Sequence, residues 1–241
     1  MISRANKVGL VAVPLAMLAA LLLSSRDAAA QTKPSFDCAK AASVAEKAIC
    51  ADPDLAQADA DVAKTYAAAL KLLDARAGKA LRDDQGDFIQ YRDQIADFNK
   101  DTLKNKQTVD LGEFMRDRAT FLSAIRKPSV AGLIGTWSSM RGTVEIKAKS
   151  AVRLEISEEV ADPVSGNESC EISGTVKVRN ELRLVDTDDN NKPTGFSFTF
   201  RHSGDALVVE QSGEGKNGLT EPPTCGANGH ADGTFFLTEQ K

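Results

Sequence analysis

Residues 34–55 read P-S-F-D-C-A-K-A-A-S-V-A-E-K-A-I-C-A-D-P-D-L, and the punctuation of this run decides how the rest of the chain is read. Ser43 and Glu46 form an S-x-x-E capping box, in which each side chain satisfies a backbone amide at a helix start. The box predicts a short helix ending near Cys50. Asp52 followed by Pro53 opens a second helix, with an acceptor for orphan amides and a proline whose missing N–H costs nothing there. Along it Leu55, Val62, Tyr66, Leu70 and Leu73 recur at helical spacing and make one apolar stripe.

Outward from this run the helical period continues. A third helix is predicted over 79–103, with Leu81, Phe88, Ile95 and Phe98 or Ala96 inward. Asp110 and Glu113 cap a fourth, whose stripe is Leu111, Phe114 or Met115, Arg118, Phe121 or Leu122, and Ile125. Pro128 closes the region. Four such stripes bury one another in a small antiparallel bundle.

Beyond Pro128 the period falls to two. Apolar residues alternate with polar ones over Val144 and Ile146; Val152, Leu154 and Ile156; Ile172, Gly174, Val176 and Val178; Leu182 and Leu184; Phe196, Phe198 and Phe200; Leu207 and Val209; and Phe235 and Leu237. With 133–138 counted, about eight short strands result, separated by Gly, Asn, Asp and Pro clusters. An antiparallel meander closed as a small barrel buries their apolar faces and removes their edges. The expected fold class is therefore α+β with segregated domains: a helical bundle over 31–128 and an antiparallel β-barrel-like domain over 129–241.

The first thirty residues have the parts of a secretory signal: Arg4 and Lys7, an apolar run over 8–23, and Ala28, Ala29 and Ala30 for cleavage. A mature chain from Gln31, periplasmic or secreted and without a membrane anchor, is the expectation. All four cysteines (Cys38, Cys50, Cys170, Cys225) lie in the exported part, where disulfides persist. Four cysteines allow three pairings. Proximity favours Cys38 with Cys50, which leaves Cys170 with Cys225. No C-x-x-C or paired-histidine spacing suggests zinc.

Charge separates the halves. Residues 31–128 carry 16 basic and 16 acidic side chains, whereas residues 129–241 carry 11 and 17. An acidic strand-rich half argues against nucleic acid and is compatible with a basic protein partner.

The run S-F-D-C-A-K-x(5)-E-K-A-I-C-A-D-P-x-L, followed by Asp59, Val62, Tyr66 and Leu70, resembles the N-terminal domain of the LprI-type lysozyme inhibitors. Gln85, Phe88 and Arg92 are similar to that family's Q-x-x-W-x-x-x-R helix, with Phe88 where tryptophan is common and no cysteine after Arg92. The resemblance covers residues 36–92 and implies an exported helical module. Asp52, Pro53, Asp59, Tyr66 and Arg92 read as structural: Asp52 satisfies orphan amides, and Tyr66 packs on the stripe with its hydroxyl partnered. The strand-rich half resembles the exported β-barrel inhibitors of C-type lysozyme, through a Ser-Gly-x-Gly loop at Ser212 that lacks the tyrosine expected after it. That likeness implies partner contacts from Ser212, Glu214 and Lys216 in a lysozyme's cleft. Gly135, Thr136 and Trp137 resemble the G-x-W of lipocalins, and Trp137 reads as a plug for a barrel end.

Signatures of catalysis are sparse. His202 continues the parity of Phe196, Phe198 and Phe200 and is expected as a satisfied histidine of the barrel interior or mouth; His230 sits in a glycine-rich loop. No G-x-S-x-G, H-E-x-x-H or phosphate loop occurs. The run beginning at Asp186 partly matches a calcium loop but has Asn191 and Ser197 where Gly and Glu are required, so a polar hairpin is expected, with no metal or cofactor. These features predict a non-enzymatic exported binding protein that inhibits a C-type lysozyme or related muramidase by occluding its cleft. The alternatives are a periplasmic interaction module with another basic envelope or host partner, and a small-ligand-binding barrel.

Overall fold

The structure, a computed structural model, describes residues 32–102, 109–129, 132–188, 190–215 and 219–240. The proposed signal segment lies outside them. A 3-10 turn at Cys38–Lys40 leads into four helices, α1 (Val44–Ala51), α2 (Pro53–Leu72), α3 (Ala75–Thr102) and α4 (Leu111–Ala124). Eight strands follow: β1 (Gly135–Ser138), β2 (Gly142–Ser150), β3 (Arg153–Val160), β4 (Cys170–Lys177), β5 (Glu181–Thr187), β6 (Pro193–Ser203), β7 (Ala206–Gly213) and β8 (Gly233–Glu239). The fold is α+β, helices first and an antiparallel, nearly closed barrel second.

Local chemistry accounts for the helix starts. Ser43 and Glu46 make both bonds of the capping box on α1, and Asp52 accepts from the amides of Asp54 and Leu55 while Pro53 opens α2. Helix α3 begins at Ala75, four residues before the predicted start, because the Asp74 carboxylate accepts the amides of Arg76 and Ala77. The predicted end at Leu103 lies outside the described residues. The helical core is built from Ile49, Val62, Leu81, Phe88, Ile95, Met115 and Leu122. Ala96 is the inward member of its predicted pair; Phe98 is 47% exposed.

Strand order is β4-β3-β2-β1-β8-β7-β6-β5, antiparallel throughout. The first and last strands therefore close the barrel, and the gap falls between the consecutive strands β4 and β5. Residues 222–226 explain part of this gap. They take up the β4 edge, with Glu171 N–H donating to Thr224 and Gly226 N–H donating to Ser169, and Thr224 also bonds Asp186 at the end of β5. The Cys170–Cys225 disulfide holds them there, and a second disulfide joins Cys38 to Cys50. Farther along, the Leu184 side chain lies over Gly174, where a Cβ would sit 2.4 Å from its Cδ1.

The barrel interior is filled by side chains, among them Trp137, Ile156, Phe198, Phe200 and Phe235. Trp137 is fully buried, with its indole N–H donating to the Leu133 carbonyl at 2.8 Å. His202 is exposed, with its ring edge-on to Trp137 at 5.5 Å, so it stands at the barrel mouth and is not a core histidine. Strand β8 is buried on both faces. Phe235 and Leu237 face the barrel core, whereas Phe236 joins the helical core and meets Phe121 at 6.3 Å. Thr32–Lys241 thus packs as a single unit.

Candidate functional site

The helices and the barrel jointly form a cleft of about 540 Å³ along α3. Helical spacing places Asp84, Asp87 and Tyr91 on one face of α3, one turn apart, and Asp83 stands beside them. The facing wall is the β1–β2 turn, which presents Arg141. Gly142 permits that turn: its φ is +154°, and a Cβ there would sit 1.9 Å from the Glu159 carbonyl oxygen. Asp162 and Glu168 come from the β3–β4 loop, and His230 and Asp232 from the approach to β8.

Six carboxylates therefore converge on a cleft that has one guanidinium, Arg141. Two of the six are paired with cations, Asp83 with Lys79 at 2.7 Å and Asp84 with Arg118 at 2.6 Å, and Asp232 accepts the Gln211 amide at 2.9 Å. Burial, and then the charges of Asp84 and Asp83, raise the Asp87 carboxyl above its ordinary range. Asp162 is partly desolvated, yet bonds from Ser165, Val164 and Tyr91 hold it below that range. Burial and the Asp162 charge push the Tyr91 phenol up. Arg141 is spent on His230, whose ring nitrogens lie at 3.1 and 3.3 Å. The remaining acids leave the cleft with an excess of negative charge.

Beside it lies an apolar hollow of about 280 Å³ lined by Phe88, Phe114, Phe121, Met140 and Pro163. Its floor is Arg118, only 4% exposed. This guanidinium donates to Gln85 at 3.1 and 2.8 Å as well as to Asp84, and it sits over the rings of Phe88 and Phe121. Asp84 also accepts from the Met140 amide of the barrel at 3.3 Å. One carboxylate thus joins α3, α4 and the β1–β2 turn.

Gln85 and Phe88 hold Arg118, so their work is architectural. Arg92 is buried, 4.0 Å from Asp59 and bonded to Asp93; Asp59 accepts the Ser35 amide at 2.6 Å. Tyr66 packs half-buried on the helical core, with no hydrogen bond to its hydroxyl among the described residues, in place of the partner expected for it. The Ser212 hydroxyl is engaged by Ser197 at 3.1 Å, Glu214 is exposed outside the cleft, and Lys216 lies outside the described residues. Asp186 is buried and accepts from Thr194, while Asp188 caps the β5–β6 turn through the amides of Asn190 and Lys192. Asp189 lies outside the described residues. Among those described, no cluster of His, Cys, Asp or Glu is arranged to hold a metal ion.

Sequence reasoning missed the cleft, although its signal, Asp83-Asp84-x-x-Asp87, stands plainly in the chain. It also missed Glu158, which shares the inward parity of Leu154, Ile156 and Val160 on β3. Glu158 is fully buried, and neither carboxyl oxygen has a hydrogen-bond partner among the described residues. Burial, reinforced by the Asp232 charge and opposed by Arg141, pushes its carboxyl up to about 8. Sealed inside the barrel, it is shielded from any substrate.

These features define a disulfide-stapled helix-and-barrel protein whose distinctive surface is an acidic cleft. Residues 38–151 match the family model described as lysozyme inhibitor LprI. The match spans the N-terminal part of the chain, from the first disulfide through β2, and the family's description is of an inhibitor. No curated protein and no solved structure matches the chain.

Proposed function

We propose that this chain is an exported binding protein that inhibits a muramidase by docking on its basic surface and covering its substrate groove. The observation that carries the reading is the coincidence of the family match with the acidic cleft. Residues 38–151 include the α3 carboxylates and the β1–β2 turn that form two of its walls. Asp87, Asp162, Glu168 and Asp232 present negative charge to the cationic face of a C-type lysozyme, and the adjoining hollow takes an apolar side chain. The two disulfides fit an oxidising compartment, in accord with a signal segment at residues 1–30.

The test is direct. Purified residues 31–241 are to be mixed with a C-type lysozyme and the lysis of peptidoglycan followed. Stoichiometric inhibition that weakens with salt is expected. Neither inhibition nor calorimetric binding across several lysozyme types would dispose of the proposal. Capture of one different envelope protein from a periplasmic extract would favour the interaction-module reading.

A further inference from the structure

The barrel is electrically two-ended. The acidic cleft takes its barrel wall from the loops after β1 and β3, the approach to β8 and the first residues of that strand. At the opposite end lie the β2–β3, β4–β5 and β6–β7 turns; the third carries Asp205 against Asp74, whereas at the tips of the first two the sign reverses. Lys149 and Arg153 flank the first tip, and Lys177 and Arg179 flank the second; Glu155 and Glu181 are the acids interspersed among them. Arg153, Lys177 and Arg179 form no ion pair among the described residues. Together with Arg183 they line an open hollow of about 560 Å³ where the barrel is unclosed between β4 and β5.

A cation cluster on a half whose net charge is negative is not needed for solubility. It is also joined to exposed apolar side chains. Val152 and Val178 continue the predicted apolar faces of β3 and β4 but fall in the turns, one at each tip, where they are 67% and 50% exposed; Val185 beside the hollow is 49% exposed. The Val178 amide donates to the Val152 carbonyl at 3.1 Å, so the two tips advance side by side as one surface. Valines at the point with lysine and arginine around them are what an interface of anionic headgroups over acyl chains receives: the methyls enter the apolar boundary while the long cations stay among the phosphates.

We propose that the paired β2–β3 and β4–β5 tips are a peripheral docking site for a bilayer bearing anionic phospholipid. Charge complementarity, together with an exposed valine at each of two adjoining tips, points to that occupant. Docked in this way, the acidic cleft at the other strand ends faces away from the bilayer and stays open to a soluble partner. The inference is independent of the inhibitor reading, since it uses neither the cleft nor the family match.

Thr32–Lys241 is to be sedimented with vesicles of phosphatidylcholine alone and with vesicles in which a quarter of the lipid is phosphatidylglycerol. Binding to the anionic vesicles only, lost at about 0.5 M salt where screening is nearly complete, is expected. Lys177→Glu with Arg179→Glu should lower partitioning at least about tenfold, as should Val152→Asp with Val178→Asp. The milder Lys177→Gln with Arg179→Gln should lie between, and Asp87→Asn in the cleft should bind as the parent does. Equal sedimentation with both vesicle types, or indifference to both tip double variants, overturns the proposal. So does strong binding to an acidic polypeptide such as polyglutamate with none to vesicles, which would make the tips a protein surface.

Discussion

Asp74 and Asp205 cap each other's backbone across the junction of helices and barrel. The Asp74 amide donates to Asp205 Oδ2 at 2.8 Å, and the Asp205 amide donates to Asp74 Oδ2 at 2.9 Å. The other oxygen of Asp74 caps α3 through Arg76 and Ala77. The two carboxylates sit 131 residues apart in sequence, so this one exchange ties the start of α3 to the β6–β7 turn.

The exchange can be broken from either side. Asp74→Ala removes a helix cap and leaves the Asp205 amide without its acceptor, which should cost about 1–2 kcal/mol. Gly204→Ala should do similar harm without touching a charge: its φ is +66°, and a Cβ there would lie 2.2 Å from Asp74 Oδ2. The amide of Ala77 is the main cause that holds Asp74 below its ordinary range, against partial burial and with help from the Asp205 and Arg76 amides. Its contribution is therefore present above the unfolded aspartate value and lost as pH falls through the lowered folded value. Urea titrations at neutral and strongly acid pH would show Asp74→Ala converging with the parent in acid, while the Gly204→Ala deficit, which includes backbone strain, persists; a constant difference for Asp74→Ala would contradict this account.

Glu158 predicts the opposite pH dependence. Its folded-state value is raised from 4.5 to about 8, so between these values the folded state holds a proton that the unfolded chain has released. Stability should decline as pH rises through that window, by at most about 5 kcal/mol, and level off above it. Glu158→Gln should flatten the slope. Unfolding free energies from pH 5 to 9 check both, and an equally steep slope in the variant would refute the assignment.

Arg118 should be intolerant of truncation. Arg118→Ala leaves Asp84 and Gln85 facing a void between two phenylalanine rings, and a loss of about 3–5 kcal/mol is expected. Arg118→Lys should recover only part, because an ammonium cannot serve Gln85 and Asp84 in one plane while stacking on Phe88 and Phe121. Thermal unfolding of the two variants measures the difference.

The Cys170–Cys225 bond closes a loop of 55 residues, for which chain entropy suggests a contribution of about 4 kcal/mol. Cys170→Ser with Cys225→Ser should also free 222–226 from the β4 edge and expose apolar interior along β4 and β5. Increased binding of an apolar dye, greater than for Cys38→Ser with Cys50→Ser, is the expected readout.

In the cleft, Asp87→Lys and Asp232→Lys should weaken lysozyme binding mainly through a slower association rate with less salt dependence. Asp87 is only partly desolvated by the cleft and largely exposed, so its variant's unfolding midpoint should stay close to the parent's, whereas Asp232→Lys also gives up the bond from the Gln211 amide. Unchanged association kinetics would move the docking surface elsewhere.

What the sequence by itself determined was local and periodic. Ser43 with Glu46 and Asp52 with Pro53 place α1 and α2 because their bonds lie within one helical turn. Alternation of Leu154 and Ile156 with charged and polar neighbours announces the first half of β3, since successive side chains on a strand point to opposite faces; its continuation through the buried Glu158 to Val160 was not legible. Only the tertiary structure decided what depends on distant chain segments meeting. Period two identifies Phe235 and Leu237 as one face of β8 but is silent about Phe236, whose burial exists only because α4 covers the other side. The early start of α3 follows from an Asp74 that is held by Asp205. The gap between the adjacent strands β4 and β5 arises because 222–226, brought back by a disulfide, already occupies part of that edge. The acidic cleft has the same origin. Charge counted along the chain shows a neutral helical half, yet Asp83, Asp84 and Asp87 of that half stand against Asp162, Glu168 and Asp232 of the other, because electrostatic potential adds through space and not along the sequence.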